Sequence, residues 1–229
     1  MPDTALSQQG SVPSGPKPQL LDAAGAAALV GSYGAVSKGA QLKDIGRLDH
    51  HMARFIALSP ICLVSTADAA GKQDVTPRGD PPGSFKVIDE KTIALADRPG
   101  NNRLDTLKNL LENPNIALIF FLPGINETVR LSGTARLSVD AKLLESMAVQ
   151  GKAPKCAIVI EVRQAYLHCA KALIRSKLWS GEYGVPRETF PSIGRMVGDQ
   201  IGLSEEEKVQ REAITERAYR ESLWEPMKP

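Results

Sequence analysis

Between residues 127 and 138 the chain alternates strictly between apolar and polar side chains. The apolar positions are Val129, Leu131, Gly133, Ala135 and Leu137. A period of two predicts a β-strand with one face buried and the other exposed. The preceding run at 116–122 is apolar throughout, which predicts a central strand of the same sheet.

Shorter patterns predict the other elements. Apolar runs bounded by Gly, Pro, Ser or Asp predict strands at 61–66, 73–77, 84–89, 92–96 and 156–162. Helices are predicted at 20–30, 48–58, 103–113, 141–149, 190–202 and 204–223. The third of these carries a leucine stripe and stops at Asn113-Pro114, and the last opens on Ser204 and Glu207, a capping-box pair.

The order of these elements predicts the fold class. About six strands follow one another mostly as hairpins, with one helix inserted between the fourth and the fifth. A doubly wound parallel sheet would need a helix after nearly every strand, so the order favours a mainly β fold with α additions (α+β), built on a six-stranded antiparallel barrel with flanking helices. We predict a disordered tail at 1–18, a barrel domain with N-terminal helices at 19–163, and a helical C-terminal extension at 164–229 that packs on the barrel or on a partner subunit.

Composition excludes several classes of function. A formal net charge of +2 argues against general affinity for nucleic acid or an anionic membrane. The three cysteines, Cys62, Cys156 and Cys169, form no CxxC pair, which is typical of buried, reduced thiols and predicts neither a disulfide framework nor a metal site. Without an apolar run of about 18 residues or a secretory signal, the chain is expected in the cytoplasm.

The loop 98–103 is a candidate phosphate site. It places Arg98, Asn101, Asn102 and Arg103 just before a predicted helix. Helix N-termini and guanidinium groups both bind phosphate oxygens. A solvated turn with Asn102 as an ordinary N-cap explains the same residues equally well, so the motif alone leaves both readings open.

Other candidates are weaker. The segment 77–83 around Arg78 fits either a bulged edge whose amides contact a flat heteroaromatic ligand or an ordinary barrel corner, and the corner is favoured. The adjacent His50 and His51 cannot easily chelate one metal from a helix, and His168 has no further ligands at zinc spacing. Trp179 could stack on a ligand ring or fill a core. The signature motifs of esterases, Rossmann proteins and P-loop NTPases are missing.

Longer stretches resemble a known family. They are TPRGDPPG at 76–83, DRPGNNRLD at 97–105, Asn113-Pro114, Pro123-Gly124, RLSGTA at 130–135 and HCAKALIRSKLW at 168–179. Together they resemble the FMN-binding split-barrel proteins related to pyridoxamine 5'-phosphate oxidase, in particular a bacterial branch with the PRGDxPG and DRPGNNRLD patterns. The resemblance covers residues 41–200. The C-terminal arginine-and-histidine motif of the true oxidase is missing after Val162, so the chain is not expected to be the vitamin B6 enzyme.

The resemblance implies FMN at the interface of a homodimer. It implies phosphate contacts from Arg98, Asn101, Asn102 and Arg103. It implies contacts with the isoalloxazine ring from Thr76, Pro77, Arg78 and Gly79, with Asp80 beside them and Trp179 as a further cofactor residue.

The expected activity is that of an FMN-dependent oxidoreductase on an unidentified small molecule, with no catalytic acid or base evident. Arg175 and Lys177 are candidates for an anionic substrate. The alternatives are a flavin-binding or sensor module without turnover, or a split barrel that holds deazaflavin or haem. His168, or His50 with His51, would then be the axial ligand of the haem.

Overall fold

The computed structural model describes residues 15–225, which fall into two compact units at 15–41 and 42–225. In the first unit, α1 (Ala23–Gly31) is capped by Asp22, whose carboxylate accepts a hydrogen bond from Gly25 N at 2.7 Å. This helix confirms the one predicted at 20–30. A short helix, α2 (Lys38–Leu42), lies at the end of the unit. The tail predicted as disordered lies outside the described residues, apart from 15–18, which form no helix or strand.

The second unit is built on one antiparallel sheet. Its strands are β1 (Ile61–Ala67), β2 (Gln73–Gly79), β3 (Lys86–Asp89), β4 (Thr92–Ala96), β5 (Asn115–Phe121), β6 (Thr128–Ser138) and β7 (Ala157–His168). They are ordered β2-β1-β5-β6-β7-β4-β3, and every neighbouring pair is antiparallel. This topology confirms the predicted α+β split barrel. Within residues 15–225 the sheet has seven strands, one for each predicted strand run, so the expected number of six was one too low; the short edge strand β3 pairs only with β4.

Six helices accompany the sheet. They are α3 (His50–Leu58), α4 (Asp105–Glu112), α5 (Ala141–Ser146), α6 (Lys171–Ser176), α7 (Ile193–Gln200) and α8 (Glu205–Glu221). The α8 helix has the predicted capping box, in which Ser204 and Glu207 each accept a hydrogen bond from the other's backbone N–H. Among residues 15–225, no helix combines the length and apolar character needed to cross a bilayer.

The core lies between one face of the sheet and helices α3 and α4. Met52 and Ile56 of α3 are buried against it, as is Leu110 of α4. The sheet contributes fully buried side chains such as Phe120 of β5 and Ile160 of β7. The alternation predicted for 127–138 is confirmed from Val129 to Ala135, where every second residue of β6 is buried, but it is wrong for Leu137, which is exposed.

Strand β7 is longer than predicted. The apolar run suggested an end at Val162, but the strand continues to His168 because residues 164–168 pair with residues 128–132 of β6. Arg163 and Gln164 are exposed, so the apolar pattern stops before the strand does. The register between β6 and β7 shifts at Ser132/Gly133, where the two backbones approach closely.

This close approach makes Gly133 indispensable to the sheet. A Cβ atom at this position would lie 1.9 Å from the carbonyl oxygen of Glu161. We therefore expect Gly133→Ala to lower the free energy of unfolding by about 3 kcal/mol, since the backbones must separate to admit the methyl group. Urea unfolding measures this loss. The matched control is Gly79→Ala in β2, where the nearest atom to a Cβ is 3.7 Å away; equal losses for the two variants would contradict the packing argument.

Candidate functional site

The loop after β4 reaches helix α4 through a constrained backbone. Asn102 and Leu104 both have positive φ angles, of 58° and 59°. The left-handed conformation is unfavourable for residues with a Cβ, and it is tolerated best by asparagine. The helix therefore begins at Asp105, two residues later than predicted, and Leu104 takes the cap position instead of Asn102.

The N-terminus of α4 has no side-chain cap. Helices start with N–H groups that have no partner inside the helix, and side chains usually satisfy one or two of them. Here Asn101 turns back instead, and its side chain accepts a hydrogen bond from Arg103 N at 3.1 Å. The first turn of α4 therefore retains backbone donors for another partner.

Arg98 is held inside the protein by a dense set of acceptors. Its Nε donates to both carboxylate oxygens of Asp80, at 3.0 and 3.2 Å, and its Nη2 donates to Met147 O at 2.7 Å. The side chains of Arg98 and Asp80 are only 9% and 3% exposed. The guanidinium that the sequence assigned to a phosphate is thus engaged in joining three segments of the chain.

Arg78 projects from β2 on the same side as Thr76. Its Nη1 donates to Thr76 Oγ1 at 3.3 Å and its Nη2 to Thr106 Oγ1, in the first turn of α4, at 3.1 Å. Its Nε is buried and has no hydrogen-bond partner within the described chain. A buried charged donor without a partner is costly, so this N–H is poised for an acceptor that the protein itself does not supply.

These residues surround one cleft of 720 Å³, bounded by β2, the 97–104 loop, the start of α4, residues 151–156 and the segment after α8. Six predicted cofactor residues line it: Thr76, Arg78, Arg98, Asn101, Asn102 and Arg103. Four do not. Pro77 and Gly79 alternate to the opposite side of β2, Asp80 lies beneath Arg98, and Trp179 is elsewhere.

The predicted substrate segment lies apart from this cleft. Trp179 Nε1 donates to Ile125 O at 2.9 Å, and Lys177 forms an ion pair with Glu182. Arg175 is exposed in the last turn of α6. None of the three side chains lines the cleft.

The cleft also has walls that the sequence analysis did not select. They include Asp97, Thr106, Lys152, Lys155, Cys156 and Trp224. Asp97 and Thr106 could have been found, because Asp97 begins the DRPGNNRLD motif and Thr106 directly follows it. The other four come from distant parts of the chain and have no motif that marks them.

Asp97 is half-buried at the edge of the cleft. Burial raises its pKa above the ordinary value of 3.8, while the positive charges of Arg78 and Lys155 partly oppose this shift. Burial likewise raises the pKa of Cys156, and the negative charge of Asp97 adds to the effect. Asp97 is therefore an acidic residue of the cleft that holds its proton to higher pH than an ordinary aspartate does.

The raised pKa has a consequence for stability. The folded protein retains the Asp97 proton to higher pH than the unfolded chain does, so the free energy of unfolding falls as the pH rises from 3.8 through the folded pKa. Asp97→Asn does not titrate, and we expect it to gain stability relative to the unsubstituted protein across that window. Urea unfolding of both proteins from about pH 3.5 to about pH 7 measures this difference; a difference that stays constant with pH would contradict the shift.

Comparison with known proteins assigns the chain to a family through its sequence. The sequence model described as pyridoxamine 5'-phosphate oxidase matches residues 48–169, which is more than half of the chain. The match includes β1 to β7, both arginine loops and the N-terminus of α4. No curated protein sequence matches the chain.

Several solved structures are similar at low identity. HupZ of Group A Streptococcus is 20% identical, with a TM-score of 0.44 over 52% of this chain and 93% of that chain. A Clostridium acetobutylicum protein related to general stress protein 26 is 17% identical, with a TM-score of 0.39 over 50% and 82%. An F420 reductase is 15% identical, with a TM-score of 0.35 over 49% and 93%. Since all three TM-scores lie below 0.5, the family assignment rests on the sequence match.

Proteins of this family are split-barrel proteins that bind flavins, some are oxidoreductases, and they are commonly dimeric. The present chain is related to the oxidase without being the oxidase itself. The chain belongs to the pyridoxamine 5'-phosphate oxidase family.

Proposed function

We propose that the chain binds FMN in the 720 Å³ cleft and acts as a flavin-dependent oxidoreductase on a small molecule. The observation that carries this proposal is the buried, unpartnered Nε of Arg78, next to a helix start without a side-chain cap. Both features call for an anionic or acceptor-rich ligand. The volume of the cleft lies within the range usual for cofactor sites, about 300–1,000 Å³.

The phosphate end of the ligand would lie at the start of α4. Arg103 is 72% exposed, and its Nε is paired with Asp105 at 2.8 Å, which leaves its two terminal nitrogens for a phosphate. The side chains of Asn101 and Asn102 line the same end of the cleft and add neutral donors. The residues present thus fit a phosphate group.

Arg98 has a different part in this proposal. Its guanidinium is committed to Asp80 and to the carbonyl of Met147, so it fixes the position of the phosphate loop instead of forming the main phosphate contact. We therefore propose Arg98 as a positioning residue for Asn101, Asn102 and Arg103.

The ring end would lie against β2. Thr76 and Arg78 face the cleft from this strand, and the unpartnered Nε–H of Arg78 can donate to a ring nitrogen or carbonyl. Bound FMN would supply the redox chemistry, and the positive charge of Arg78 would favour an anionic reduced ring system. Asp97, whose pKa is raised by burial, can hold and release a proton at the same wall of the cleft.

We also propose that two chains form a homodimer through the outer face of the sheet. Leu63 and Ile119 are only half-buried on this face and Ala117 is exposed, around a depression of 480 Å³. Arg130 and Tyr166 lie at its edge and contact each other, with the guanidinium carbon 5.5 Å from the ring centroid. An apolar sheet face with a polar rim is typical of a subunit interface.

Three alternatives use the same fold. A deazaflavin such as F420 also carries a phosphate and a flat ring, so the cleft suits it for the same reasons. Haem is less well supported: His50 and His51 are exposed on α3, and His168 does not line the cleft. A flavin-binding module without turnover remains an alternative, which reduction of the bound flavin by a nicotinamide cofactor would contradict.

A cytoplasmic location remains a prediction. All three cysteines are unpaired thiols; the prediction that they are buried holds for Cys62, but Cys156 is only half-buried and Cys169 is exposed. Unpaired thiols are typical of a reducing compartment.

Replacing Arg103 tests the phosphate assignment. We expect Arg103→Ala to weaken FMN binding about ten-fold or more while leaving riboflavin binding nearly unchanged, because only FMN has a phosphate and a charge-assisted hydrogen bond contributes about 1.5–3 kcal/mol. Fluorescence titration with each flavin measures both affinities.

The control is Arg217→Ala, which removes an exposed arginine that is also paired with a carboxylate, Glu221, but lies on α8 away from the cleft. It should leave both affinities unchanged. Equal weakening of FMN and riboflavin by Arg103→Ala would show that the phosphate does not lie at the start of α4.

A further inference from the structure

The aromatic side chain of the cleft comes from an unexpected part of the chain. Trp224 follows helix α8 and is the only aromatic residue among the described residues that line the cleft. Its ring lies over the guanidinium of Arg98, with 5.4 Å between the guanidinium carbon and the ring centroid. Trp179, the tryptophan that the family resemblance implied as a cofactor residue, donates a hydrogen bond to Ile125 O outside the cleft.

Arg98 is a rigid support for this ring. Its N–H donors lie in the plane of the guanidinium, and their hydrogen bonds to Asp80 and Met147 restrict the orientation of that plane. The flat face of the group remains available for stacking, and a guanidinium face on an indole ring is a favourable cation–π contact. The position of Trp224 is thus defined by the same buried pair that positions the phosphate loop.

A second contact holds the same segment. Glu225 Oε2 lies 2.9 Å from Lys152 Nζ, and both residues line the cleft. The two side chains are 49% and 47% exposed, so this ion pair is screened by water and opens easily. At the other end, the N–H of Ser222 donates to Ala218 O at 2.9 Å, which ends α8 and turns the chain towards the cleft.

We propose that residues 222–225 form a strap across the cleft, and that Trp224 is the wall that packs against the ring system of a planar heteroaromatic ligand. This inference rests on the proposed flavin function, and it adds a residue and a moving part to that site. The contact with Arg98 places the indole when the strap is closed, and the weak ion pair of Glu225 with Lys152 allows the strap to open for entry. Ligand binding and strap closure then stabilise each other.

Flavin titration tests the ligand contact. We expect Trp224→Ala to weaken FMN and riboflavin about equally, by about ten-fold, because the lost contact is with the ring that both share. Trp224→Phe keeps an aromatic face and should recover most of the affinity. Tyr183→Ala, which removes an exposed aromatic ring outside the cleft, should change neither affinity.

Tryptophan fluorescence tests the strap both without and with a ligand. The chain has two tryptophans, so Trp179→Phe leaves Trp224 as the only emitter. We expect its emission to be partly shielded from acrylamide in the free protein. Adding Glu225→Gln or Lys152→Met should increase the quenching, whereas adding FMN should decrease it.

The outcomes separate the two proposals. One outcome is that the unsubstituted protein binds FMN while Trp224→Ala binds both flavins as tightly or more tightly. In that case Trp224 does not contact the ring system, and the proposal of a flavin site in the cleft is unaffected. If Trp224 is as accessible to acrylamide as free indole, the strap is not docked. If the unsubstituted protein binds no flavin at all, both the flavin proposal and the ring contact of Trp224 fail.

Discussion

A guanidinium group that is 9% exposed needs its charge balanced inside the protein, and Arg98 meets this need with Asp80. Breaking one partner of such a buried pair typically costs about 3–5 kcal/mol, because the remaining charge stays buried alone. The pair also joins the end of β2 to the 97–104 loop, and the bond to Met147 O adds the segment after α5. The shape of the cleft depends on this one interaction.

The remaining features of the cleft follow from that anchor. With Arg98 fixed, the loop must reach α4 in few residues, and it does so through two left-handed residues, Asn102 and Leu104. The helix then starts without a side-chain cap and faces Arg78 across Thr106, whose hydroxyl accepts a bond from Arg78 Nη2. Backbone strain and an unsatisfied buried donor are both costs that a bound phosphate and ring system would offset.

Much of the fold could be predicted from sequence because it depends on local patterns. The alternation in β6, the stop of α4 at Asn113 and the capping box at Ser204 are encoded within a few residues. The end of β7 could not be found in this way, since its last residues are paired with β6 but are largely polar. The sheet neighbour, and not the local pattern, determines that strand end.

The site was predictable only in part, for the same reason. The two arginine loops mark the cleft, but which arginine is buried depends on Asp80 and Met147, which are distant in sequence from Arg98. The contribution of Trp224 depends on where the end of α8 lies against the barrel. No sequence motif near Trp224 indicates this position. Trp179 was predicted as a cofactor residue instead, because it lies in a family motif.

The central claim is that this cleft holds a flavin phosphate. The most direct test is an absorption spectrum of the purified protein, followed by mass analysis of the compound that acid treatment releases from the protein. Bands near about 370 and 450 nm together with the mass of FMN are the predicted result. A colourless protein that takes up no added FMN would contradict the claim, and the arginine loops would then be structural turns.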